Sequence, residues 1–187
     1  MCEFKSAIVL RDESRKGGCE VFLSPWTEHH SELMHMRGVK ERARINCACV
    51  EFSPPSMADA DKPQRYRLKI EEERCPDWFD DEMKEFVSGR MRDYIKSIII
   101  TGDVFLLIGG QFILTGAAKA ELAKNCMIYA VMGSATLGTV CDNATLGTIG
   151  DNATLGTVCG SVKLGTVCGS ATLGTVDPTV TIGGKAK

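Results

Sequence analysis

ATLGTVCDN-ATLGTIGDN-ATLGTVCGS-VKLGTVCGS-ATLGTV, residues 135–176, writes nearly the same nine residues five times over. A strict short period means one small structural unit stacked on copies of itself, so this part of the chain is read as a solenoid. Leu recurs at 137, 146, 155, 164 and 173, Gly at 138, 147, 156, 165 and 174, and Val or Ile at 140, 149, 158, 167 and 176. Alternate residues of a strand share a face, so the first place (Ala) and the third (Leu) point inward together. The sixth place (Val) breaks that parity. A bend at the Gly-Thr pair is expected to return it to the interior, and Asp-Asn or Gly-Ser supplies a second bend. The expected unit is two very short strands separated by two corners, with two units, 18 residues, per coil. Cys141 and Cys159, 18 apart, agree with that coil length, whereas the corner pairs (Asp142-Asn143, Asp151-Asn152, Gly160-Ser161, Gly169-Ser170) follow no 18-residue alternation.

Upstream the pattern loosens. CMIYAVMGS (126–134) keeps the inward places, residues 118–125 fit one residue short, and IIITGDVFLLIGGQFILTG (98–116) predicts larger first coils with bulkier filling. The solenoid is expected from about Ser97. Asp177-Pro178 and the tail TVTIGGKAK mark its last coil, where Pro and Lys suit an edge that must not pair with another chain.

Composition divides at the same place. Residues 1–100 hold 17 of the 22 Lys and Arg and 19 of the 24 Asp and Glu, so the repeat half is nearly uncharged and must be folded to stay in solution. The first hundred residues read as β-β-α-β-β-α. FKSAIVLR and CEVFLS form a hairpin around residues 12–18, Thr27 caps a helix that stops at Gly38, RINCACVEF and RYRLKIEE are strands, and Trp78 to Ile95 have helical spacing. The last helix, just ahead of the first coil, suits a cap on the solenoid's open end. The expected fold class is α+β: a small α/β domain (1–76), a capping helix (77–96) and a β-solenoid of nonapeptide repeats (97–187).

The start of the chain shows no apolar signal stretch and no membrane span is apparent, which together with nine irregularly placed cysteines suggests a reducing, cytoplasmic setting. Cys47, Cys49 and Cys75 with His29, His30 and His35 offer zinc-ligand types, but not as two spaced pairs. Cys47 and Cys49 on one strand face suit core packing, and His30 and His35, five apart, read with Glu28 and Glu32 as a solvated helix face, so no metal and no cofactor is expected. GxSxG, GxxxxGK and HExxH are absent, and no enzyme is expected. The Thr columns lack the TxT spacing of ice-binding solenoids. Asp142 and Asp151 lack the GGxGxD context of calcium-binding repeats, which leaves turn formation as their role. Two basic clusters remain as candidate partner contacts: Arg37, Lys40, Arg42 and Arg44, and Lys62, Arg65, Arg67 and Lys69. Glu41 and the run 71–73 dilute them, and a net charge of -2 argues against nonspecific nucleic-acid binding.

The layout, with SAIVLRD, VEFSPP and PDWFDDEMKE ahead of repeats such as ATLGTVCGS, resembles accessory proteins carried by bacteriophages and prophages of gut bacteria. The resemblance covers essentially the whole chain in layout and repeat style. It implies a binding role, commonly the blocking of a host factor, and brings no catalytic residues with it. The leading expectation is therefore a non-enzymatic interaction protein, phage-encoded, that inhibits a bacterial defence or nucleic-acid-processing complex in the manner of an anti-CRISPR. Its partner would be a host protein or protein–nucleic acid complex. The alternative is a structural solenoid that self-assembles as bactofilin-like rods do, or dimerises sideways through its flat strips.

Overall fold

The computed structural model describes residues 4–39, 46–71 and 75–183. The chain divides into two compact units, Met1–Pro55 with Lys62–Lys96, and Ser56–Asp61 with Ser97–Lys187. Among the described residues no helix is long and apolar enough to cross a membrane.

In the first unit, strands β1 (Lys5–Arg11), β2 (Cys19–Phe22), β3 (Cys47–Ser53) and β4 (Arg67–Ile70) form an antiparallel sheet in the order β2-β1-β3-β4. The β1–β2 loop is long but built. Asp12 accepts from the Ser14 backbone and hydroxyl at 3.1 and 2.6 Å, and the Asp12 N–H donates to Gly18 O at 2.9 Å. Gly17 adopts φ 79° and a Cβ there would lie 2.7 Å from the Phe86 ring, so only glycine fits.

Helix α1 (His30–Arg37) begins later than the sequence suggests: the Thr27 hydroxyl accepts from the His29 N–H at 3.1 Å in a preceding turn, and His29 stands at the cap. Gly38, left-handed at φ 71°, ends the helix as expected, with Gly38 and Val39 N–H groups donating to His35 and Met34 carbonyls. Leu33 and Met34 pack on Ile8, Cys47 and Cys49, which puts the two cysteines in the core. Helix α2 (Asp81–Ile98) starts after Trp78 and Phe79, because Asp80 accepts from the Met83 N–H at 2.9 Å and so caps it. Val87, Met91 and Ile95, spaced four apart, are fully buried. β1 and β3 are buried on both faces, so the sheet is a middle layer and not a surface.

The second unit is a β-solenoid with two parallel sheets. One has the order β14-β12-β10-β8-β6 and the other β15-β13-β11-β9-β7-β5, with the strands β5 (Ile99–Ile100), β6 (Val104–Ile108), β7 (Gln111–Leu114), β8 (Lys119–Lys124), β9 (Met127–Val131), β10 (Thr136–Cys141), β11 (Thr145–Ile149), β12 (Thr154–Val158), β13 (Lys163–Val167), β14 (Thr172–Val176) and β15 (Thr181–Ile182). Successive units alternate between the sheets. Thr136 pairs with Thr154 and Thr145 with Lys163, which gives 18 residues per coil.

Two expectations need correction. Each nine-residue unit holds one strand and one corner, because the chain runs straight through Gly-Thr. The ladder of β10 and β12 pairs residues 136, 137, 139 and 140 and passes over Gly138, and this irregularity lets Leu137 and Val140 both face inward. Second, the early coils are smaller, not larger: Lys119 pairs with Thr136, Val104 with Ala120 and Ile99 with Ile113, offsets of 17, 16 and 14 residues.

The corners explain the sequence's missing alternation. Gly116, Asn125, Gly133, Asp142, Asp151, Gly160 and Gly169 all have positive φ, between 47° and 73°. Asp, Asn and Gly are the residues that enter this left-handed region most readily, so either pair makes the same corner. The next place in the column is Pro178, whose ring forbids positive φ. There the turn is made differently: Asp177 accepts from the Thr179 N–H and hydroxyl at 2.8 and 2.7 Å, and only the two-residue β15 follows. The interior is a continuous stack of Ala, Leu, Val and Ile, including Ala135, Leu137, Val140, Ala144, Leu146 and Ile149, all at most 1% exposed.

Candidate functional site

Two basic clusters are singled out in the sequence, and the described residues place Arg37 of the first apart from Arg67 and Lys69 of the second. Lys40, Arg42 and Arg44 lie outside the described residues. Arg37 is held by a fork to Glu20, with its Nε 3.1 Å and a terminal nitrogen 2.7 Å from Oε2. Glu20 belongs to β2, one edge of the four-stranded sheet, whereas Arg67 and Lys69 project from β4, the opposite edge. Three strand spacings, about 14 Å, separate those edges. Lys62, Arg65, Arg67 and Lys69 are exposed and successive along the chain; Arg67 and Lys69 alternate with half-buried Leu68 and Ile70, as an edge strand packed on one side requires. Of the basic residues singled out, these four are the exposed set near β4, with Glu51 opposite Lys69 in the register.

A second constellation joins residues that the sequence keeps apart. Val50 pairs with Ile70 and the Glu71 N–H donates to Cys49 O at 3.1 Å, so Glu71 stands opposite Cys49 on the face that α1 covers. His30, the first residue of α1, lies over both. Its Nδ1 is 2.7 Å from Glu71 Oε1 and its Nε2 is 3.0 Å from Val50 O. One ring nitrogen, the Cys49 sulfur and a Glu71 oxygen all lie within 4.8 Å of one another. His30 and Cys49 are buried while the Glu71 side chain is 39% exposed, so the group is enclosed on the protein side and open toward solvent through the carboxylate. His29 and His35 are exposed, as a solvated helix face predicts; His30 is not.

Glu28 also departs from that helix-face reading. Its Oε1 meets Lys5 Nζ at 3.0 Å and its Oε2 accepts from the Ser6 N–H at 2.6 Å. Lys5 is fully buried, donates to Ser24 O at 2.6 Å and lies 5.1 Å above the Tyr94 ring. Burial lowers the Lys5 pKa, and the Glu28 carboxylate opposes that shift. Burial, with the Glu28 charge adding to it, pushes the Tyr94 phenol up to about 12. With its side chain fully enclosed, Lys5 has no route to a substrate; it ties β1 to the segment before α1 and to α2.

Sequence reading grouped His30 with His35 and Glu71 with an acidic run. The signal that joins them is the antiparallel register of strands 47–53 and 67–70, which places residues 49 and 71 opposite each other. No protein-family model, curated protein or solved structure matches the chain.

Proposed function

We propose that the protein is a non-enzymatic protein–protein interaction protein whose first unit carries the recognition surface and whose solenoid is the scaffold. The observation that supports this reading most is the β4 edge. It is a terminal strand of its sheet among the described residues; Arg67 and Lys69 on it, and Arg65 in the turn before it, are exposed. Strand addition at such an edge draws affinity from main-chain hydrogen bonds and specificity from side chains. Two like-charged copies of this edge repel each other, so an acidic partner segment fits it better than a second copy does. In its most specific form, following the phage-like layout, the partner is a component of a bacterial defence or nucleic-acid-processing complex and the outcome is inhibition, as with an anti-CRISPR.

Affinity capture from bacterial lysate tests the proposal. The intact chain is expected to retain a stoichiometric partner that the double variant Arg67→Glu, Lys69→Glu loses while keeping its circular dichroism spectrum. Recovery of no stoichiometric partner, together with a turnover activity of the pure protein, overturns it.

One observation favours the self-assembly reading as a competitor. β6 ends its sheet and exposes Phe105, Leu106 and Ile108 at 76%, 41% and 51%. Light scattering against concentration separates the two: growth without limit marks a filament, a fixed dimer marks sideways pairing, and a constant monomer removes the self-assembly reading.

A further inference from the structure

We infer that His30, Cys49 and Glu71 form a binding site for a zinc-class divalent cation, with His30 Nδ1, the Cys49 thiolate and a Glu71 carboxylate oxygen as ligands and a water in the fourth position. The donor set is that of a borderline-soft ion: one imidazole, one thiolate and one carboxylate. The three side chains come from three separate elements, the first turn of α1, the middle of β3 and the residue just after β4, and each backbone anchor is fixed by packing or sheet register.

The second contact of the imidazole fits the same role. A ligating histidine characteristically donates its other ring N–H to a carbonyl or carboxylate, which fixes the tautomer and the ring plane. Here the Nε2–H donates to Val50 O at 3.0 Å, which leaves Nδ1 facing Glu71 Oε1 at 2.7 Å. Bonds of about 2.1 Å to nitrogen and oxygen and about 2.3 Å to sulfur set tetrahedral ligand–ligand edges of roughly 3.5 Å. The donor atoms, all within 4.8 Å of one another, need only small shifts to reach that size. Nδ1 and the Glu71 oxygen, now 2.7 Å apart, must separate by about 0.8 Å to reach that edge, on the side where the Glu71 side chain is 39% exposed. The ion enters from the Glu71 side, where a water completes its shell.

Binding is balanced by release of two protons, one from the Cys49 thiol and one from the hydrogen bond that His30 and Glu71 share. The bound cation joins α1, β3 and the end of β4, so it stabilises the first unit against unfolding.

Cobalt(II) titration of the full chain, previously stripped with chelator, reads the site directly. One equivalent per chain is expected, with tetrahedral visible bands and a near-ultraviolet thiolate-to-cobalt band, all displaced by zinc. Cys49→Ala is expected to abolish the thiolate band. Because Cys49 lies in the core, Glu71→Gln is the second variant: its side chain is half-exposed, so the fold is retained, and affinity is expected to fall at least tenfold. His30→Gln behaves alike, whereas Cys168→Ser, an exposed thiol of the solenoid, leaves the titration unchanged. Absence of the thiolate band in the intact chain, unchanged affinity in Glu71→Gln, or loss of the band in Cys168→Ser overturns the assignment.

Discussion

The two units bury different things. In the solenoid the enclosed places are filled mainly by Ala, Leu, Val and Ile in columns, and among the described residues of that unit the buried polar or charged side chains are Asp59 and Gln111. The first unit buries Lys5, Ser6, Ser24, Thr27, His30, Ser53 and Ser88. An apolar column gains stability in proportion to area and can be copied without limit, whereas each buried polar group needs its own partners and can be solved only once. Repetition therefore marks the scaffold, and specific chemistry collects where the sequence is irregular. Both tryptophans, Trp26 and Trp78, lie in the first unit, so their fluorescence follows that unit while the far-ultraviolet strand signal is weighted toward the solenoid.

The largest lesion expected is Gly147→Val. A Cβ at Gly147 would meet the backbone oxygen of Tyr129 on the preceding coil at 2.5 Å, and neither backbone can give way without opening the stack. The cost is expected at about 4 kcal/mol or more, the range of severe overpacking. Urea titration followed by circular dichroism should show the strand transition displaced to much lower denaturant. An unchanged midpoint would mean that the coils do not stack through the glycine column.

Next comes Lys5→Ala in the first unit, which removes the fully buried ammonium from the largely enclosed Glu28 carboxylate, 12% exposed. Breaking one side of a buried pair costs about 3–5 kcal/mol. Here the tryptophan transition should shift, and a shift below about 1 kcal/mol would show the pair to be effectively solvated. Comparing the two variants measures what a single buried charge is worth against a repeated close contact.

Legibility in the sequence followed the same division. The columns of Leu, Gly and Val were readable because a fixed period repeats one environment, and the 18-residue coil follows from them. The parity break at Gly138 was visible too, but its form was not: sequence shows that Leu137 and Val140 both turn inward, while only the ladder shows the strand passing over Gly138 unbroken. The smaller early coils escaped because bulky residues such as Phe105 and Leu106, read as filling, face outward. In the first unit the strands and helices were legible by period. The His30–Cys49–Glu71 group was not, since it depends on strand register and on which side of α1 faces the sheet.

Alkaline titration gives a smaller effect and separates the units by pH. The Cys126 thiol, in the solenoid's alanine column, is pushed by burial up to about 11, against an ordinary value near 9.0. Tyr94 is raised from near 10.0 to about 12. In both, the folded form holds a proton that the unfolded form releases, so their contribution is full below the ordinary value and is lost as pH rises through the folded one. The solenoid is expected to weaken from about pH 9 to 11 and the first unit from about pH 10 to 12. Cys126→Ala and Tyr94→Phe should each flatten the slope in their own window only. A slope unchanged by either variant removes that residue from the account.

The smallest effect expected is a gain. Gly89 sits inside α2, and a Cβ there would meet no atom within 4 Å, in contrast to the glycine column of the solenoid. Its cost is the backbone freedom an interior helical glycine gives up on folding, roughly 1 kcal/mol relative to alanine. Gly89→Ala should therefore raise the midpoint of the tryptophan transition by that amount and leave the strand signal where it was. Seen together, Gly147 and Gly89 show that glycine content alone says nothing about need. A destabilised Gly89→Ala would mean that something must approach the helix at that point, and would make the face bearing Gly89 a contact surface of the protein.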